Sequence, residues 1–131
     1  MNYHQQRQVS QDMRRQWNKT IWIAKRIPNE VDKYGRPKYE KPVEYQWNVQ
    51  PVSAEDELHE FGQNAYLMQK ALIEYKKYFG KFKEFDVAYL DGVTPKGETV
   101  NGSKANYRLL PPRNQNKCIR IYLEKIISNK K

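Results

Sequence analysis

From Val43 to Gln50 the chain alternates without a break. Val43, Tyr45, Trp47 and Val49 fall on one face, and Glu44, Gln46, Asn48 and Gln50 on the other. A period of two predicts a strand with one buried and one wet face. Pro51 has no N–H to donate and stops the ladder. The pattern then changes to a short acidic segment, in which Ser53 with Asp56 resembles a capping box and Gly62 can end a helical turn. Upstream, Thr20–Ile27 is a second strand candidate, with Ile21, Ile23 and Ile27 on one face and Lys25 as the exception. Residues 28–42 carry three Pro, one Gly and mixed charge, and read as a long hairpin connection or flap returning to the Val43 strand.

Downstream, Asn64–Tyr75 supports two assignments. Alternation places Ala65, Leu67, Ala71 and Ile73 on one face, broken by Gln69. Helical spacing collects Leu67, Met68, Ala71, Leu72 and Tyr75. Propensity favours helix and the surrounding β pattern favours strand. Short strands follow at Asp86–Leu90 and Ala105–Leu110, separated by a polar Gly/Pro-rich run and stopped by Pro111-Pro112. The last and strongest β run is Lys117–Ile127, with Ile119, Ile121 and Leu123 opposite Cys118, Arg120, Tyr122 and Glu124. Five or six short strands with Pro/Gly punctuation predict a mainly β chain. The expected architecture is a small antiparallel β-barrel or sandwich with long loops, a short helical turn and an extended N-terminal arm. The arm takes residues 1–18 and the barrel domain residues 19–131.

Composition sharpens this picture. The hydrophobic share is 38% and the charged share 30%, while the aromatic share reaches 13% with ten Tyr. Tyrosine suits surfaces that are half buried or buried against a partner. The formal charge of +9 favours anionic partners. It is uneven, with ten Lys/Arg against four Asp/Glu in residues 1–41 and fourteen against eleven beyond. One cysteine, Cys118, excludes an intrachain disulfide. The polar N-terminus lacks the apolar core of a signal peptide, and no run reaches the length of a membrane span.

Catalytic chemistry has little to stand on. His4 and His59 are the two histidines, far apart in sequence, and neither belongs to a metal-ligand spacing. The expectation is no enzyme, no catalytic residues, no metal and no cofactor. Two patches remain. Tyr75–Phe85 interleaves Tyr75, Tyr78, Phe79, Phe82 and Phe85 with Lys76, Lys77, Lys81 and Lys83. Its rings read first as core or interface residues with wet lysine neighbours, and second as a stacking and phosphate-neutralising surface. Glu55, Asp56, Glu57 and Glu60 read as a solvated face or docking patch, complementary in sign to a basic arm that includes Arg14, Arg15 and Trp17. In a homo-oligomer such patches on opposite sides would join head to tail, and a contact of that kind that closes makes a ring. Replacing the four acids is expected to spare folding.

The order of features, TIWIAKRI, a Tyr-Gly-Arg-Pro connection, WNVQPVSAEDELHEFG, FDVAYLDG, ANYRLL and CIRIYLEKI, resembles the head-closure, or stopper-type head–tail connector, proteins of long-tailed phages. The likeness spans residues 20–127 and is most specific from Asn48 to Gly62. It implies a β-barrel subunit in a homo-oligomeric ring at the head–tail junction of the virion, assembled in the host cytoplasm. Such a ring sits between portal or adaptor proteins and tail-completion or tail-tube proteins, seals packaged double-stranded DNA and offers the tail a docking surface. Ile21, Ile23, Val43, Tyr45, Trp47, Val49, Ile119, Ile121 and Leu123 would form the core. Lys76, Lys77, Lys81, Lys83, Lys96 and Lys104 would face DNA without reading its sequence. The alternatives are a single-stranded nucleic-acid-binding module of oligonucleotide-binding barrel type, or another virion adaptor or tail-completion protein.

Overall fold

The structure, a computed structural model, describes residues 18–96, 104–115 and 117–126. In chain order these form β1 (Asn18–Ala24), β2 (Arg26–Val31), β3 (Pro37–Tyr39), β4 (Val43–Pro51), α1 (Glu55–Phe61), a 3₁₀ turn (Gly62–Leu67) and β5 (Met68–Glu74). There follow α2 (Tyr75–Tyr78), β6 (Val87–Tyr89), β7 (Tyr107–Leu109), β8 (Arg113–Asn114) and β9 (Cys118–Lys125). Six strands in the order β5-β4-β1-β6-β7-β9 close into an antiparallel barrel because β5 also pairs with β9. The mainly β expectation holds, and closure resolves barrel against sandwich.

The Val43–Gln50 alternation is β4. Its register with β1 runs from Asn18↔Asn48 to Ile23↔Val43, and on its other edge Asn48↔Leu72 to Pro51↔Gln69 join it to β5. The ambiguous segment is neither wholly helix nor wholly strand. It turns through 3₁₀ geometry to Leu67, runs as a strand to Glu74 and becomes helical at Tyr75. Two ladders, one on each edge of β5, outweigh its helix propensity. Ala71 and Ile73 point inward as the alternation requires.

The inner faces meet in one core: Ile21 and Ile23 of β1, Trp47 and Val49 of β4, Ala71 and Ile73 of β5, Ile119, Ile121 and Leu123 of β9, with residues of β6 and β7. Val43 departs from the expected core and is 51% exposed. Its parity is right, but as the first residue of β4 it stands at the rim of the wall, where the described residues leave it half uncovered. Two smaller apolar clusters lie outside the barrel. Val52, Ala65, Met68 and Tyr122 pack under α1 with Phe61 and Leu110. Ala24, Val87 and Tyr89 pack with Trp22, Tyr39, Val93 and Ala105. Tyr122 is therefore buried, although the β9 alternation puts it on the face away from the interior.

The 28–42 connection is the β2–β3 hairpin, paired at Arg26↔Tyr39 and Val31↔Pro37 with a register shift between them, outside the barrel sheet. Asp32 shapes its tip, its Oδ1 accepting the N–H groups of Tyr34 (2.8 Å) and Arg36 (2.9 Å). Neither α2 nor β8 is foreseen from the sequence. Both β7 and β8 pair with β9, at Leu109↔Leu123 and Arg113↔Arg120. Because β5 occupies one edge of β9 from Cys118 to Glu124, β7 and β8 share the other. Pro111 and Pro112, which lack N–H donors, interrupt that run between them.

Ile121 is fully buried at the centre of the closing β5–β9 pair, opposite Ala71. Ile121→Ala should lower the unfolding free energy by about 2–5 kcal/mol, read by urea titration. A loss below about 1 kcal/mol would mean that the barrel interior does not dominate stability.

Candidate nucleic-acid interface and docking surfaces

The two ends of the barrel differ. At the end where β4 begins, Tyr45 and Trp47 stack at 4.7 Å between ring centroids. Tyr78 of α2 and Phe82 of the following loop meet both rings edge-on, at 5.1–5.8 Å. This aromatic lid closes the interior, and Phe82 is 5% exposed. The core reading thus holds for Phe82, with Tyr75 packed against the core, and Tyr78 joins them there. Phe79 and Phe85 are not core residues, being exposed at 57% and 54%. Lys76, Lys77, Lys81 and Lys83 are all exposed on the lid's outer side, and the ammonium groups of Lys77 and Lys81 lie 5.4 and 5.8 Å from the Tyr78 ring.

At the opposite end, where β4 finishes and β5 begins, the mouth is polar. Gln69 Nε2 donates to Tyr107 OH (2.9 Å) and to Asp91 Oδ2 (3.2 Å), and Tyr107 OH donates to Asp91 Oδ2 (2.9 Å). Lys19 Nζ reaches Gln69 Oε1 at 3.4 Å. Gln69 broke the sequence alternation because it sits at this mouth, where an inward side chain needs polar partners. Lys96 and Lys104 belong to the loop that leaves β6 at this same end, and Lys104 Nζ donates to the Lys96 carbonyl (3.0 Å). The six candidate lysines therefore divide between two ends and do not form one surface.

The acidic segment is also divided. The helix begins one residue later than the sequence suggested, with Ala54 as its N-cap and Glu57 at the third position. Alanine has no side-chain acceptor, so only half of a capping box exists: Glu57 Oε1 accepts the Ala54 N–H at 3.2 Å. Gly62 ends the helix at φ 57°, ψ −133°, a backbone conformation that glycine adopts readily. Inside α1, Glu57 faces the outer wall of β5 and β9 and is 2% exposed. It accepts from Lys70 Nζ at 2.8 Å and from Tyr122 OH, while Arg120 Nη1 stands 3.6 Å from its second oxygen. Lys70 and Tyr122 are opposed in the β5–β9 register, so the barrel wall itself assembles this socket.

Burial alone would push the Glu57 carboxyl up. The hydrogen bonds from Lys70, Tyr122 and the Ala54 backbone outweigh it and hold the group below the ordinary glutamate range. Burial, followed by its hydrogen bond to Glu57, pushes the Tyr122 hydroxyl up. Glu60 forms a two-pronged pair with Arg113 of β8, which lowers its carboxyl. The Arg113 guanidinium also lies 4.8 Å from the Tyr122 ring. Glu57 is thus withdrawn from the expected docking patch because it is buried, and Glu60 is engaged within the chain. Glu55 and Asp56 remain exposed with no ion pair among the described residues. Arg14, Arg15 and Trp17 lie outside the described residues.

His59 is exposed on α1, and Cys118 is half-buried with its Sγ 3.6 Å from Gln115 Oε1. Among the described residues no group of three or more His, Cys, Asp or Glu could hold a metal ion. No helix among them is long and apolar enough to cross a membrane. The Glu57 socket escaped sequence reading because its members come from α1, β5 and β9. The one signal for it was a tyrosine on the outer face of a strand.

No protein-family model and no curated protein matches the chain. The barrel is similar to the solution structure of protein SF1141 from Shigella flexneri 2a, with a TM-score of 0.51 and 14% sequence identity, over 83% of this chain and 92% of that one. At that identity the likeness concerns the fold.

Because Glu57 is held below its ordinary value near 4.5, its stabilisation is present above that value and is lost as pH falls through the lower folded-state value. Glu57→Gln should cost about 1–3 kcal/mol at pH 7, since it leaves Lys70 without its carboxylate. The deficit should shrink as pH drops below about 4, where the parent also loses the charge. Urea titrations of both proteins from pH 7 to pH 3 check this; a deficit independent of pH would contradict the ionic role.

Proposed function

We propose that the chain is a structural subunit of the phage head–tail junction, a stopper-type connector. It would form a ring that closes the DNA channel after packaging and presents a docking surface to the tail. The observation that carries this reading is that exposed lysines on the aromatic lid and exposed acids on α1 occupy separate parts of one closed barrel. Lys76, Lys77, Lys81 and Lys83 are exposed around the aromatic lid, while the exposed acids Glu55 and Asp56 sit on α1, in the connection between β4 and β5. A closed barrel has no free sheet edge for strand-by-strand assembly. Contacts between copies then fall to what projects from it: α1, the β2–β3 hairpin and the loops. A lysine-rich surface on the lid and an acidic one on α1 suit a head-to-tail contact, which repeats into a ring when its rotation closes.

The barrel interior is filled by side chains, so DNA would pass through the ring and not through a subunit. Non-specific contact with double-stranded DNA falls to lysines on the exterior, with portal or adaptor proteins on the head side and tail-completion or tail-tube proteins on the other. A second reading, a single-stranded nucleic-acid-binding module, draws on Phe79 and Phe85. These are exposed rings among lysines, on which bases could stack.

Mass measurement of the protein, alone and with portal, adaptor and tail partners, separates the two. The connector reading expects a ring, alone or with those partners, and weak DNA binding by the free chain. Tight binding of single-stranded or duplex DNA by a free monomer at physiological salt would overturn it. Glu55→Gln with Asp56→Asn should leave the thermal midpoint within about 2 °C, as expected of surface changes, yet weaken assembly in low salt. Unchanged assembly from low to high salt would remove α1 from the interface.

A further inference from the structure

Lys25 breaks the apolar alternation of the first strand, and the structure gives that break a place. It is the residue between β1 and β2, at the neck of the hairpin, where its carbonyl accepts the Glu40 N–H at 2.7 Å. Beside it lies Asp86, 3% exposed. Its two oxygens accept the backbone N–H of Arg26 (2.8 Å) and of Lys83 (3.0 Å). This one carboxylate therefore ties the hairpin neck to a loop some sixty positions away. Burial pushes the Asp86 carboxyl up, against the opposing pull of those two N–H groups.

Between the tied segments lies a cleft of about 340 Å³, lined by Lys25, Arg26, Lys81 and Lys83 together with Pro28, Glu40, Gly80 and Asp86. Four basic residues line it against two acidic ones, and Asp86 is already committed to backbone N–H groups. None of the four has an ion-pair partner among the described residues. Three of them lie against rings: the Lys25 ammonium 5.5 Å from Phe82, the Arg26 guanidinium 5.7 Å from Phe85 and the Lys81 ammonium 5.8 Å from Tyr78. Phe85 is held at φ 78°, an unusual conformation for an aromatic residue, just before the Asp86 clamp.

Gathering like charges into a concave site is unfavourable unless an anion neutralises them, and concave walls raise the local counter-ion concentration. We propose that this cleft is a phosphodiester-binding site, in which Lys25, Arg26, Lys81 and Lys83 hold the backbone of a nucleic acid strand and the Asp86 clamp holds the two basic segments at the right separation. Lys25 and Arg26 join Lys81 and Lys83 as contacts, while Lys76 and Lys77 stand outside the cleft. The inference rests on the reading that the chain works against DNA, but it concerns a single subunit and needs no ring.

The test uses the full chain at low salt. A mixed-sequence duplex of about 16 base pairs, the corresponding single strand, and inorganic phosphate are titrated while backbone amide resonances are followed. With either nucleic acid the amides of Lys25, Arg26, Gly80, Lys81 and Lys83 should shift first. Stronger shifts with the single strand would add stacking on Phe85 to the same phosphodiester site. The triple variant Lys25→Gln, Lys81→Gln, Lys83→Gln should weaken duplex binding about tenfold and reduce the slope of log affinity against log salt by about one or more. The control pair Lys76→Gln, Lys77→Gln should weaken it less than about threefold. Equal losses in the two variants, shifts spread over all exposed lysines, or a response to inorganic phosphate without one to nucleic acid would each overturn the site. Assembly, measured separately by mass, distinguishes failure of the cleft from failure of the connector: a chain that forms no ring can still fill the cleft, and an empty cleft leaves assembly through α1 standing.

Discussion

The pairing of β5 with β9 is the contact on which the rest of this protein depends. It joins residues about fifty positions apart, from Met68↔Glu124 to Glu74↔Cys118, so its loop-closure cost falls early and its return comes late in folding. It converts an open sheet into a barrel and imposes strand geometry on a segment whose residues favour helix. Its inner face contributes Ala71, Ile73, Ile119, Ile121 and Leu123 to the core. Its outer face contributes Lys70, Arg120 and Tyr122, the socket that receives Glu57.

That socket explains how a short helix with little intrinsic stability holds its place. A seven-residue helix is too short to persist by hydrogen bonding alone. A buried carboxylate with several donors gives it a defined seat, because any other orientation would leave a charge buried without partners. Glu60 with Arg113 secures its far end. With two of the four acids engaged in this way, Glu55 and Asp56 are presented outward on a fixed scaffold. The same economy appears at the hairpin neck, where Asp86 binds two backbone N–H groups and leaves the neighbouring cations without ion-pair partners among the described residues. In both places a buried acid organises the exposed charges around it.

Closing the barrel also separates the surfaces that could meet a partner. The aromatic lid and the polar mouth seal opposite ends, the interior is filled, and no edge strand of the barrel stays open along its length. Function is left to the exterior: a basic rim and cleft at one end, α1 on the wall, and the β2–β3 hairpin outside the sheet. The likeness to the Shigella flexneri protein carries this barrel architecture and nothing of its surface chemistry, so the surface has to be read from its own residues.

Local pattern was enough to place β1, β4, β6, β7 and β9, the hairpin and the acidic turn. Alternation, proline stops and glycine turns act within a few residues of their cause, and they are visible in the order of the chain. The same applies to the broad prevalence of positive charge. Tertiary structure alone decided that Asn64–Tyr75 divides into a 3₁₀ turn, a strand and a helix, because two long-range ladders settle what propensity leaves open. It also decided that Val43 is exposed at a rim while Tyr122 is buried outside the interior, since parity names a face but not what covers it. Likewise it separated Glu57 and Glu60 from Glu55 and Asp56, and Lys25 and Arg26 from the lysines of α2. Glu55 and Glu57, two positions apart, received different roles because the groups that bury and pair Glu57 come from β5 and β9, 13 and 65 positions away.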